Sequence, residues 1–156
     1  MIIIPHEGAP CNLRPFRIED AGRLHAILSD PETMRWIEPP FDLQKTIQLL
    51  QGEALVSPPR IWALTDTEDR VIGQVIFHPY DSGSYEIGWI IARSHWGRGL
   101  ATAVTEALIR RCRERGIDGC VIECVPEQAV TAHIAQKCGF AFAGYMSGLA
   151  VYRRKA

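Results

Sequence analysis

The chain has 156 residues, with 17 basic against 18 acidic side chains, a formal net charge of -1, 47% hydrophobic and 22% charged residues. These values fit one globular domain over residues 1–156 and exclude a wholly disordered chain, a collagen-like fibre and a disulfide scaffold. The balanced charge gives no global attraction to nucleic acid or to an anionic membrane, so neither is expected as a partner.

Met1-Ile2-Ile3-Ile4-Pro5 is too short for a signal-peptide core, and no apolar run approaches the ~20 residues that span a bilayer. The expected location is therefore the cytoplasm. Asn12 to Phe16 reads as a short strand. Ile18-Glu19-Asp20 opens a helix with acid in its first turn, and Ala21, Leu24, Ile27 and Leu28 form its apolar stripe. Ser29-Asp30-Pro31 ends it, and an aromatic, proline-rich connection with Trp36 runs to Phe41. Asp42 caps a second helix reaching to about Gly52. Ile61 to Leu64, Val71 to His78 and Tyr85 to Ile91 read as antiparallel strands joined by polar turns.

A long helix is predicted from Gly97 to about Arg115, with Ala101, Val104, Leu108 and Cys112 on one face. Cys120 to Val125 follows as a strand, and Glu127 to Cys138 as a helix stopped by Gly139. Phe140 to Met146 and Leu149 to Arg153 are predicted to form a terminal hairpin. The pattern is a mixed α/β sheet, antiparallel early with a crossover later. The five cysteines Cys11, Cys112, Cys120, Cys124 and Cys138 contain no C-x-x-C pair, which predicts reduced, mostly buried thiols. No Cys/His spacing suits zinc, so no metal is expected.

The segment Trp89 to Thr102 carries the clearest chemical signal. A β-branched strand enters a loop with Gly97 and Gly99, and the loop opens a long helix. Glycines allow tight turns and close ligand approach, and free helix-start N–H groups favour an anion. No acid occupies the first turn, while Arg110, Arg111, Arg113 and Arg115 crowd the far end. Arg98 adds a possible phosphate contact. The alternative is a glycine turn before an ordinary amphipathic helix. A Walker loop is absent, and a dinucleotide loop would need Gly or Ala at Thr102. Asp118 and Glu123 lie near the distance of a ribose-binding acid, which keeps a nucleotide-binding oxidoreductase as a distant reading.

With these segments in order, the chain resembles the GNAT superfamily of acyl-CoA-dependent N-acyltransferases. It is most similar to the branch of ribosomal-protein N-terminal acetyltransferases. The resemblance rests on Leu13-Arg14-Pro15 with Glu19-Asp20, and on Ser29-Asp30-Pro31-Glu32 with Met34-Arg35. It continues through Tyr85-Glu86-Ile87-Gly88-Trp89, Trp96-Gly97-Arg98-Gly99-Leu100-Ala101-Thr102 and Lys137-Cys138-Gly139-Phe140. It implies a splayed mixed sheet flanked by helices, with acetyl-CoA as co-substrate. The loop from Trp96 through Gly97, Arg98, Gly99, Leu100 and Ala101 would wrap the pyrophosphate, with Thr102 beside it. Trp89, Ile90 and Ile91 would pair with the pantetheine arm. Gln128 and Thr131 stand where the branch has Asn-x-x-Ser, Trp96 replaces a Gln or Arg, and Ala135 replaces a Tyr acid of other members.

The implied chemistry is direct acetyl transfer to a primary amine, either a protein N-terminus or a small molecule. Such an amine is mostly protonated at neutral pH, so a base helps. Glu86 is the first candidate and Glu123 its rival, with His78 as a possible proton shuttle. His95 reads as a loop residue near phosphate and His133 as an ordinary residue of its helix, on a side left open. Thr131 is the candidate donor to the leaving thiolate, with Tyr145 weaker, and a backbone N–H near Ile91 would serve the oxyanion. Trp36 and Phe41 are candidate walls of the acceptor site. Cys124 reads as core rather than nucleophile. The assembly is expected to be a monomer or a homodimer. The altered Gln128, Thr131 and Ala135 positions also suit a non-catalytic acyl-CoA-binding regulatory domain.

Overall fold

The structure is a computed structural model that describes residues 2–156. Its eight strands form one mixed sheet in the order β1-β2-β3-β4-β5-β6-β8-β7, and five α-helices accompany them. The described residues divide into two compact units, 2–76 with Trp89–Leu100, and Phe77–Gly88 with Ala101–Ala156. Strands β4 (Val71–Pro79) and β5 (Ser84–Ile91) run through both.

In the first unit, β1 (Ile2–Ile4), β2 (Cys11–Arg14) and β3 (Ile61–Thr65) join β4 as antiparallel neighbours. Strand β1 was not among the predicted elements, because three residues before a proline show no periodicity. It gains definition by pairing Ile2 with Leu13 and Ile4 with Cys11. A 3-10 turn at Ile18–Asp20 leads into α1 (Ala21–Leu28), whose predicted stripe Ala21, Leu24, Ile27 and Leu28 is buried. The connection after it holds an unpredicted single turn, α2 (Pro31–Met34). Pro31 takes the first helical position, and the Asp30 side chain accepts from the Thr33 N–H at 3.3 Å and the Thr33 hydroxyl at 2.7 Å. Helix α3 (Leu43–Leu49) is capped by Asp42 as expected, then widens into a π turn at Leu50–Ala54. Leu24, Leu28, Met34, Phe41, Leu50 and Ile90 belong to one core, each burial contributing ~1.5–3 kcal/mol.

Two features fix this unit. Gly73 on β4 leaves no space for a side chain, since an added Cβ would stand 2.6 Å from the Ile90 carbonyl oxygen. That neighbour is backbone, so Gly73→Ala is expected to cost about 1–3 kcal/mol, readable as a lower urea midpoint at unchanged m-value. Arg14, 6% exposed, donates from both terminal nitrogens to Asp20 at 2.8 and 2.9 Å and from Nε to Asp69 at 2.7 Å. Burial alone would raise the Asp20 carboxyl, but the Arg14 bonds and the Arg17 N–H outweigh it and hold it below its ordinary range. Arg14→Ala strands Asp20 and is expected to cost about 3–5 kcal/mol by denaturant titration. A lowered acid contributes stability fully above its unfolded value of about 3.9 and loses it as pH falls through the folded value. The parent's advantage over Arg14→Ala should therefore shrink below about pH 4.

In the second unit, α4 (Leu100–Glu114) turns its predicted face inward, with Val104, Leu108 and Cys112 fully buried. It starts three residues later than predicted because Gly97 and Gly99 hold left-handed φ values of 74° and 73°. Strand β6 (Gly119–Cys124) pairs parallel with β5 and antiparallel with β8 (Leu149–Lys155). Helix α5 (Ala129–Lys137) precedes β7 (Ala141–Met146), which forms the predicted hairpin with β8. All five cysteines are buried, and no helix of the described residues is long and apolar enough to cross a membrane.

Candidate active site

In the first unit, Trp89, Ile90 and Ile91 close β5, with Ile90 and Ile91 buried. A 3-10 turn at Arg93–His95 follows. The Trp96 indole N–H donates to the Ile91 carbonyl at 2.8 Å, folding the loop back onto its own strand. His6 Nε2 lies 2.6 Å from the Arg98 carbonyl oxygen and ties down the same loop. Trp96, Gly97, Arg98 and Gly99 are exposed, Leu100 is buried, and Ala101 and Thr102 are half-buried. Both glycines face open space where a Cβ would stand. The helix has no acid in its first turn and carries Arg111 and Arg113 in its last, so its start keeps its positive end for an outside anion. The open space at both glycines and the acid-free helix start suit an anion.

Beside the loop an open pocket of about 730 Å³ is lined by Arg23, Asp30, Thr33, Val71, Arg93 and His95 among others. Arg93 pairs with Asp30 at 3.2 Å. Burial pushes the His95 imidazole down, and Arg98 adds to this, so the ring favours its neutral form. Trp36 is 39% exposed, with the Arg35 guanidinium 4.7 Å above its ring. Phe41 lies in the core under the Lys45 ammonium, 4.3 Å from its ring centre, and its N–H donates to the Leu28 carbonyl at 2.9 Å. It anchors the connection that displays Trp36.

The second unit collects the polar candidates. The β5–β6 ladder runs from Ser84–Gly119 through Tyr85–Cys120 to Glu86–Val121. Paired residues share a face, and side chains alternate along a strand, so Glu86, Val121 and Glu123 face the same way. Arg153, opposite Val121 on β8, joins them. His78 Nε2 lies 3.7 Å from Glu86 Oε1, with side-chain exposures of 13% and 21%. The histidine is largely covered because β4 extends to Pro79. The nearby Glu123 carboxylate, with burial, leaves the Tyr80 hydroxyl pushed up to about 12. Met146 Sδ lies 3.6 Å from the same hydroxyl. Arg153 stacks over the Tyr80 ring at 5.2 Å while pairing with Asp81 at 3.0 Å.

Sequence reasoning passed over Tyr80, Asp81, Arg153 and Met146. The two-residue spacing of His78 and Tyr80 was the available signal, masked by the turn that follows. Gln128 sits at the N-cap of α5 without a side-chain capping bond, Thr131 is buried in the first turn, and Ala135 is fully buried. His133 is exposed on α5, and Tyr145 is 71% exposed with its ring 5.1 Å from that of Phe142. Cys124 is buried and its thiol is pushed up by burial, which suits an inert core residue. Among the described residues no group of three or more His, Cys, Asp or Glu side chains could hold a metal ion.

The site therefore sits on a mixed sheet, where a strand feeds a two-glycine loop and a helix start. The profile described as acetyltransferase (GNAT) domain matches residues 11–141, and the chain belongs to this family. It is 33% identical over 105 residues to p20 of Bacillus licheniformis, named an uncharacterized N-acetyltransferase. That match covers 62% of this chain but 59% of p20, under two thirds of that relative's length. A GNAT-family acetyltransferase from Bacillus anthracis superposes with a TM-score of 0.84 at 21% identity, over 99% of this chain and 98% of that one. RimL, a ribosomal L7/L12 alpha-N-protein acetyltransferase solved with coenzyme A, gives a TM-score of 0.80 at 20% identity, over 98% and 97%. These superpositions establish the shared fold.

Proposed function

We propose that the protein is an acetyl-CoA-dependent N-acetyltransferase, a single catalytic domain over residues 1–156, that acetylates a primary amine by direct transfer in a ternary complex. The observation that carries the reading is the open cradle at Trp96 to Thr102, which lies inside the matched family segment. RimL, which shares the fold, was solved with coenzyme A and acts on a protein N-terminus. Both a peptide N-terminus and a small amine suit the chemistry.

Acetyl-CoA supplies an activated acyl thioester. The residues of the chain do the rest. Gly97, Gly99 and the N–H groups leading into α4 hold the diphosphate, with Arg98 alongside. Ala101 and Thr102, in the first helical turn, and Gln128, at the start of α5, complete the binding set. The backbone of Trp89 to Ile91 lines the pantetheine arm, and an N–H near Ile91 stabilises the oxyanion. Glu86 removes the proton from the attacking amine. Thr131 donates toward the leaving sulfur. Trp36 is offered to the acceptor, and Phe41 fixes its connection from the core.

The test incubates the protein with acetyl-CoA and a panel of primary amines and N-terminal peptides, reading released thiol and the mass of one added acetyl group. Amine-dependent thiol release with matching product supports the reading. Thiol release that ignores the amine is hydrolysis by water and contradicts acetyl transfer, and no release by a protein that binds acetyl-CoA favours a non-catalytic CoA-binding domain.

A further inference from the structure

We propose that His6 is a positioning residue for cofactor binding: its bond to the Arg98 carbonyl turns the Gly99 N–H toward the diphosphate of acetyl-CoA. This rests on the acetyl-transfer reading above and assigns a residue that acts through the loop, without touching the cofactor.

The local fold places the side chain. Strand β1 pairs Ile2 with Leu13 and Ile4 with Cys11, and Ile4 is fully buried. The chain is therefore anchored two residues before His6. Pro5 stands between them with a fixed φ, which limits the directions in which the chain can leave the strand. Gly8, at a left-handed φ of 93°, turns the connection back toward β2. His6 thus projects from the turn of a short antiparallel hairpin. Its Nε2 meets the Arg98 carbonyl oxygen at 2.6 Å, across 92 residues of sequence. A carbonyl only accepts, so Nε2 is the donor. The neutral Nε2–H ring and the imidazolium both donate from this nitrogen, so the bond needs no change of charge.

The bond decides which way the next peptide faces. The Arg98–Gly99 peptide is trans, so its C=O and N–H point in opposite directions. With the carbonyl held by His6, the Gly99 N–H points away from the hairpin and is offered to the anion. The reverse orientation would set a carbonyl oxygen against a phosphate. The sequence makes that reversal easy, because Gly97 and Gly99 flank Arg98 and glycine takes either sign of φ at little cost. The Trp96 indole, bonded to the Ile91 carbonyl at 2.8 Å, fixes the entry of the loop but lies before both glycines. His6 reaches past the first of them. It presets the loop before the cofactor arrives, which leaves less ordering for binding to do.

The experiment has two arms, both on the full chain. Calorimetric titration with coenzyme A should show His6→Ala weakened by about tenfold, the scale of one oriented hydrogen bond. His6→Leu keeps bulk but has no donor, and it should match His6→Ala. His6→Gln carries an amide nitrogen as far along its side chain as Nε2, and it should bind within about threefold of the parent. Kinetics on an amine that the parent acetylates should show His6→Ala with a KM for acetyl-CoA raised about tenfold and kcat within about twofold. S-acetyl-pantetheine has the thioester without the diphosphate, so parent and His6→Ala should use it equally well. Equal coenzyme A affinity in parent and His6→Ala, no rescue by His6→Gln, or the same loss with both acyl donors overturns the role of His6 and leaves acetyl transfer standing. A folded parent that binds no coenzyme A overturns the acetyl-CoA reading, and the role of His6 with it.

Discussion

Glu86→Gln is expected to lower kcat by 10²–10⁴-fold on any amine the parent acetylates, about 3–5 kcal/mol of transition-state stabilisation. The substitution keeps the shape of the side chain and removes its basicity. Binding of acetyl-CoA should stay within about twofold of the parent, because diphosphate recognition belongs to the Trp96 to Thr102 loop and not to this carboxylate. The loss should also depend on the acceptor. An amine of low pKa is already neutral at the assay pH and needs the base least, so its penalty should be smallest. Steady-state kinetics across a pH series reads both effects. An unchanged rate with an unchanged pH profile would remove Glu86 from the reaction and bring Glu123 forward.

Gly99→Glu is expected to weaken acetyl-CoA binding by at least about 100-fold. Two penalties combine. Gly99 has a φ of 73°, where a residue with a Cβ is strained by ~1–2 kcal/mol. The new carboxylate would also sit at the start of α4, compete for its N–H groups and repel the diphosphate. Gly99→Ala separates the two, since it carries the strain without the charge. It should bind within about tenfold of the parent while melting a few degrees lower. Equal affinity for parent and Gly99→Glu would mean that the anion lies elsewhere.

The long periodic elements were legible in the sequence for a simple reason: their burial follows their period. Val104, Leu108 and Cys112 on α4, and Leu24 and Leu28 on α1, are buried as their spacing predicts. The two-glycine loop was legible because only left-handed backbone makes glycine informative there. Elements below one turn or one pleat were not. Strand β1 depends on its pairing with β2, and α2 on one cap at Asp30. The start of α4 shifted because the apolar period does not register backbone sign at Gly97 and Gly99. Around Glu86 the sequence supplied the carboxylate and, eight residues earlier, His78, which lies 3.7 Å from it. The approach of Tyr80 to Glu123 and Met146 joins segments distant in the chain. Alternation within one strand carries no information about which residue stands across the next.

The most direct test of the account is calorimetric titration of the folded protein with acetyl-CoA, with NADH and ATP as controls. Saturable one-to-one binding of acetyl-CoA, weak or no heat from either control, and loss of the signal in Gly99→Glu are expected. A folded protein that gives no heat and no thermal protection with acetyl-CoA, or that prefers NADH, would contradict it.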